Sequence, residues 1–107
     1  MQRFGMVIGL RDESLDEYKA LHAGSGVRDL LHQANIRNFN IFVHRLPDGK
    51  LYEFAYYEYV GTDYPADMAK LDNEPRNLAW LAKCNPMQTP LPGAVAWTLM
   101  EQVYLNE

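Results

Sequence analysis

Tyr18 and His22 stand four residues apart in the segment Asp16-Glu17-Tyr18-Lys19-Ala20-Leu21-His22. In a helix, side chains at i and i+4 share one face, so a phenol and an imidazole project side by side. The phenol offers a ring face and a hydroxyl that both donates and accepts, which suits a polyhydroxylated ligand. The imidazole, with a reference pKa of about 6.5, gives or takes a proton near neutral pH. Together they are enough for acid/base work on a sugar. Tyr and His at this spacing are also ordinary packing on half-buried helices, so the other elements must decide between the two uses.

The remaining reactive side chains carry less. His32, beside Leu31, reads as a surface residue, and His44 ends a strand next to Arg45 with no assigned role. No Cys or carboxylate set stands at ligand spacing from His22, so no metal site is expected. Cys84 is the single cysteine, which leaves it no internal disulfide partner. With no His beside it, it lacks the surroundings of a nucleophile. A reducing cytoplasm is its expected location.

The composition narrows the partners. The chain has 107 residues, 48% of them apolar, with net charge −4, and fits one domain over residues 1–107 with a real core. No block of Lys or Arg exceeds two residues, which argues against nucleic acid or anionic lipid as a partner. Apolar runs fall far short of the roughly 20 residues of a membrane helix. The run Phe4-Gly5-Met6-Val7-Ile8-Gly9-Leu10 meets Arg11-Asp12-Glu13 at once, with no small-residue cleavage site, and reads as a strand, not a secretion signal.

The elements that position Tyr18 and His22 follow from periodicity. Residues 3 to 10 alternate Phe4, Met6, Ile8 and Leu10 against Arg3, Gly5, Val7 and Gly9, a second face small enough for close approach. Helical spacing over residues 13–21 puts Leu15, Tyr18 and His22 in one stripe, and Gly24-Ser25-Gly26 breaks it. Val27, Leu30, Leu31 and Ala34 predict a second helix ending near Asn35. A strand over 38–43 presents Phe39, Ile41 and Val43 on one face. Leu46-Pro47-Asp48-Gly49 is a turn, and residues 50–60 form a strand apolar on both faces. Pro65 opens a short helix with Ala66 and Ala69 available for packing. Asn73 can cap another, whose predicted core stripe is Leu78, Leu81 and Ala82. Trp80 falls outside that stripe, which suits a pocket wall, a dimer contact or packing beneath the next loop. Residues 85–93 read as an extended proline-rich connection, and 94–105 as a last strand.

The order strand, helix, strand, strand, helices, strand predicts an α+β ferredoxin-like sandwich, with an antiparallel four-stranded sheet and helices on one face. The bare apolar face then calls for a second copy, so a homodimer with sheet packed on sheet, a dimeric α+β barrel, is expected.

Longer segments add a family likeness. Glu17-Tyr18-Lys19 with His22, the run from Ile36 to Phe42, the run from Trp80 to Leu91, and Glu101-Gln102-Val103-Tyr104 occur in an order and spacing that resemble L-rhamnose mutarotases, the small sugar 1-epimerases, over nearly the whole chain. The resemblance implies a ferredoxin-like dimer. It assigns His22 as proton donor and places Tyr18, Phe39 and Trp80 against the sugar. It also marks departures. Ala23-Gly24-Ser25-Gly26 replaces a hydrophobic-Trp-Pro segment, Phe39 replaces a tyrosine, and Trp80-Leu81 replaces a Trp-Trp pair. These changes bear on the pocket wall and leave the acid in place.

The implied reaction needs no cofactor, metal or covalent intermediate. The ring oxygen is protonated as the anomeric hydroxyl loses its proton, the aldehyde carbon rotates, and closure occurs from either face. A positioned acid/base group supplies about 10²–10⁴-fold. L-rhamnose is the first substrate expected and L-fucose the second. The complementary base is open: a tyrosine, a bound water and the same imidazole all qualify. Two other functions suit the same fold, a cofactor-free oxidative or isomerising enzyme and a non-catalytic ligand-binding dimer.

Overall fold

The computed structural model describes residues 1–107. Its sheet is built around β1 (Gln2–Leu10), which pairs antiparallel along its whole length with β3 (Leu51–Tyr59). β3 pairs in turn with β2 (Ile36–Arg45) through the turn at Pro47-Asp48-Gly49, where Gly49 takes a φ of 82°. The other edge of β1 is shared by two short strands, β4 (Gln88–Thr89) and β5 (Thr98–Met100). This order, β2-β3-β1 and then β4 with β5, is the ferredoxin-like arrangement expected from the element order.

Four helices cover one face: α1 (Leu15–Ala23), α2 (Arg28–Gln33), α3 (Tyr64–Asp72) and α4 (Pro75–Cys84). Two clusters hold them there. Leu10 and Leu51 pack with Tyr18, Cys84 and Met87, while Ile36 and Tyr59 pack with Ala34, Leu31, Met68 and Leu71. Each fully buried aliphatic or aromatic side chain contributes about 1.5–3 kcal/mol. Tyr59 also acts as a polar pin, donating to Asp67 Oδ2 at 2.5 Å and accepting from the Asp63 amide at 2.9 Å. The alternation read in β1 has a structural cause on its small side. A Cβ on Gly9 would stand 2.6 Å from the carbonyl oxygen of Thr89, so only glycine lets β4 approach.

Four details differ from the sequence reading. In α4 the inward stripe is Asn77, Trp80, Leu81 and Cys84, whereas Leu78 is half exposed and Ala82 faces outward. Helical phase admits either stripe, and the buried amide of Asn77, which donates to Leu71 O at 3.2 Å, selects the one containing Trp80. The cap of α4 is Glu74, whose carboxylate accepts from the Arg76 amide, and in α3 Met68 and Leu71 pack where Ala66 and Ala69 were expected. The last strand spans only Thr98–Met100, and it starts late because β4 already occupies the Gly9–Leu10 end of β1. Residues 101–107 extend past the sheet, with Val103 and Tyr104 largely exposed.

Candidate active site

A cavity of about 920 Å³ opens between the helix-covered face of β2 and β3 and the helices α1, α2 and α4, within the size range of small-molecule sites. Tyr18 and His22 form one wall. Their rings stack with centroids 4.1 Å apart, and His22 Nδ1 lies 2.7 Å from the carbonyl oxygen of Tyr18. A carbonyl only accepts, so Nδ1 carries a proton, and Nε2 is the nitrogen left for chemistry. Neutral His22 therefore presents a bare Nε2, and protonated His22 presents an Nε2–H.

Trp80 closes this wall from α4, meeting His22 edge-on with ring centroids 5.1 Å apart. The loop after α1 packs beneath the indole. Gly26 has a φ of 53°, and a Cβ there would sit 3.2 Å from Trp80 Cη2. The Gly24-Ser25-Gly26 segment is thus a thin floor under Trp80 and part of the cavity lining.

Phe39 lines the cavity from β2, and a bulge puts it there. Arg37 pairs with Glu58 and Asn40 with Tyr56, so Asn38 and Phe39 together oppose Tyr57. Asn38 takes a φ of 55°, as asparagine tolerates. The extra residue resets the alternation, so Ile36 before it and Phe39, Ile41 and Val43 after it all face the cavity. Phe39 stacks on Tyr57 with centroids 5.3 Å apart and planes within 6°.

Behind Tyr18 sits a carboxylate. Glu53 of β3 is 0% exposed, between Leu51 and Ala55 on the buried face, and lines the base of the cavity. Neither of its oxygens has a hydrogen-bond partner. Tyr18 and Gln88 are the polar groups that act on it, and Gln88 Nε2 donates to the Tyr18 hydroxyl at 3.3 Å. Desolvation pushes the Glu53 carboxyl up to about 7, against the lowering effect of Tyr18 and Gln88. Desolvation and then the Glu53 carboxylate hold the Tyr18 phenol far above its ordinary range, so it keeps its proton. Burial likewise pushes the Cys84 thiol up to about 11, with Glu53 adding to the effect.

His22 therefore touches both Tyr18 and Trp80, and Phe39 lines the same cavity. His44 is exposed, and His32 is exposed at the cavity's margin. Glu53 and Gln88 escaped the sequence reading. The signal for Glu53 was its parity with Leu51 and Ala55, an acid in an apolar stripe. No three His, Cys, Asp or Glu side chains gather as a metal site would require, and no helix is long and apolar enough to cross a membrane.

The family model for L-rhamnose mutarotase matches residues 3–105. No curated protein matches the sequence. Among solved structures, the crystal structure of an L-rhamnose mutarotase from Formosa agariphila superposes with a TM-score of 0.75 at 17% identity, covering 100% of both chains, and so shares the fold. Matched across all its elements, the chain belongs to the L-rhamnose mutarotase family, a family of isomerases that interconvert anomers.

Proposed function

We propose that this protein is a mutarotase interconverting the α and β anomers of a 6-deoxyhexose, with L-rhamnose as first substrate. The observation that carries the reading is the stacked Tyr18–His22 pair, its free Nε2 beside Trp80 in a cavity large enough for a sugar. The family match supports the same activity. In this reading His22 Nε2–H protonates the ring oxygen, Tyr18 offers its hydroxyl to the sugar oxygens, and Trp80 and Phe39 stack on the C–H face. The Tyr18 carbonyl holds Nδ1–H throughout, which keeps the ring oriented as Nε2 exchanges its proton.

The active form is proposed as a homodimer. Phe42, 69% exposed, and Phe54 and Tyr56, half buried, lie on the sheet face opposite the helices, and a second copy would cover them. The deciding experiment adds candidate sugars and follows anomer exchange by magnetisation-transfer NMR. Accelerated exchange of L-rhamnose supports the mutarotase. Saturable binding without exchange would make the protein a binding module, and consumption of the sugar would make it a different enzyme.

A further inference from the structure

Ring opening moves two protons, one onto the ring oxygen and one off the anomeric hydroxyl. His22 accounts for the first. The second needs an acceptor that is near the sugar, can hold a proton at neutral pH, and is not already saturated with hydrogen bonds.

Glu53 has these properties, and its position is not explained by the fold. A charged residue with no exposure normally comes paired, because an isolated buried carboxylate is costly. Here both oxygens are unpartnered. The cross-strand neighbours are apolar, Ile8 on β1 and Val43 on β2. Tyr18 from α1 is the titratable group that acts on it, and Glu53 in turn acts on Cys84 from α4; burial holds both the phenol and the thiol in their neutral forms. The cations lining the cavity, Lys19, Arg28 and Arg37, are not among the groups that shift it. A leucine in this place would pack without cost.

We propose that Glu53 is the proton acceptor behind Tyr18: the phenol takes the proton of the anomeric hydroxyl as it passes its own to the Glu53 carboxylate. This rests on the mutarotase reading. Glu53 has no exposure, so it acts through Tyr18 and is a positioning residue, not one that touches the sugar. Gln88 fixes the phenol by donating to its oxygen, which leaves the phenolic proton free to point at Glu53.

The steps balance. The C1–O5 bond breaks with its electron pair going to O5, which takes the proton from His22 Nε2. The anomeric O–H bond breaks, its pair forms the carbonyl π bond at C1, and that proton goes to Tyr18 Oη as the Tyr18 proton goes to Glu53. After rotation about C1–C2, closure reverses every transfer. Nothing is oxidised or reduced, and the pair ends as it began, with one proton shared between His22 and Glu53. A carboxyl pushed up to about 7 both takes and returns a proton near neutral pH, so the relay does not trap the proton it receives.

The test compares wild type, Glu53→Gln and Glu53→Asp in L-rhamnose anomer exchange over a range of pH. Wild type should show an acid limb, in which the rate falls as Glu53 is protonated. Glu53→Gln should fold, bind the sugar with little change in KM, lose about 10²-fold in kcat, and lose the acid limb. Glu53→Asp should restore the limb. In the free wild-type protein with carboxyl-labelled glutamate, one carboxyl resonance should titrate near 7 and move in Tyr18→Phe. A Glu53→Gln variant with wild-type kcat and an unchanged acid limb overturns the relay and leaves the mutarotase reading standing. No exchange by wild type overturns both. All glutamates titrating in the ordinary range also overturns the relay, whatever the activity.

Discussion

His22 Nδ1 lies 2.7 Å from the backbone oxygen of Tyr18, one helical turn behind it. That bond ties the imidazole to its own helix, fixing which nitrogen reaches the cavity before any ligand arrives. Replacing His22 by alanine should slow anomer exchange by about 10²-fold or more, with sugar affinity nearly unchanged. Equal exchange rates for wild type and a folded His22→Ala protein would remove His22 from the chemistry.

Trp80 touches His22 on one side and Gly26 on the other, so it should matter to every sugar alike. Trp80→Ala is expected to weaken all sugars tested by calorimetry, because stacking on a C–H face ignores which hydroxyl is axial. Gly26→Ala reaches the same ring from below. The left-handed backbone at Gly26 costs an alanine about 1–2 kcal/mol, and the new methyl must displace the indole. Thermal unfolding should show the loss. Unaltered sugar binding in Trp80→Ala would return that residue to the core.

Phe39 carries a ring without a hydroxyl at the cavity wall. Phe39→Tyr should tighten L-rhamnose binding by about 0.5–1.5 kcal/mol, the worth of one hydrogen bond to a ligand oxygen. L-fucose should gain less. A titration in which both sugars bind as before would mean that position 39 meets no sugar oxygen.

Glu53 makes stability depend on pH in a direction opposite to most carboxylates. Its folded pKa, about 7, lies above the ordinary value of 4.5, so the folded chain holds the proton more tightly than the unfolded one. Stability contributed by that proton is fully present below 4.5 and is lost as pH rises through about 7. Denaturant midpoints should therefore fall across this window in wild type, and Glu53→Gln should flatten the fall and be the more stable protein above it. A Glu53→Gln profile parallel to wild type would show that the carboxyl titrates normally.

The exposed sheet face predicts a dimer at micromolar concentration. Phe42→Asp, at 69% exposure in the single chain, should leave the fold intact and shift sedimentation toward the monomer. A wild-type monomer in the same experiment would leave the apolar face without its proposed cover.

Alternation and turn chemistry were enough to read β1, the β2–β3 hairpin and the stripe of Leu15, Tyr18 and His22. These depend on local spacing, which a sequence displays directly. The Phe39, Ile41 and Val43 face was legible for the same reason. The bulge that adds Ile36 to it was not, because an asparagine with positive φ leaves no periodic trace. In α4 two stripes fit the helical period, and only the contact of Asn77 with the end of α3 chooses between them. Glu53 was hidden by its type: an acid on a strand reads as solvent-facing until its neighbours on the same face are counted. The late start of β5 depends on competition with β4 for one edge, a tertiary fact with no local signature.

The bulge at Asn38 and Phe39 also decides how the pocket wall responds to a change in chain length. Because two residues there face one partner, deleting Asn38 would restore simple pairing with Tyr57 without turning over the strand beyond it. Phe39, Ile41 and Val43 would keep their facing, and so would Ile36 and Arg37, which already stand opposite Tyr59 and Glu58. Both ends of β2 are therefore held in phase by β3, and the inserted residue reshapes only the backbone between them. A lineage could lose that residue and flatten the strand there, while the aromatic wall and the contact with α2 both stay in phase.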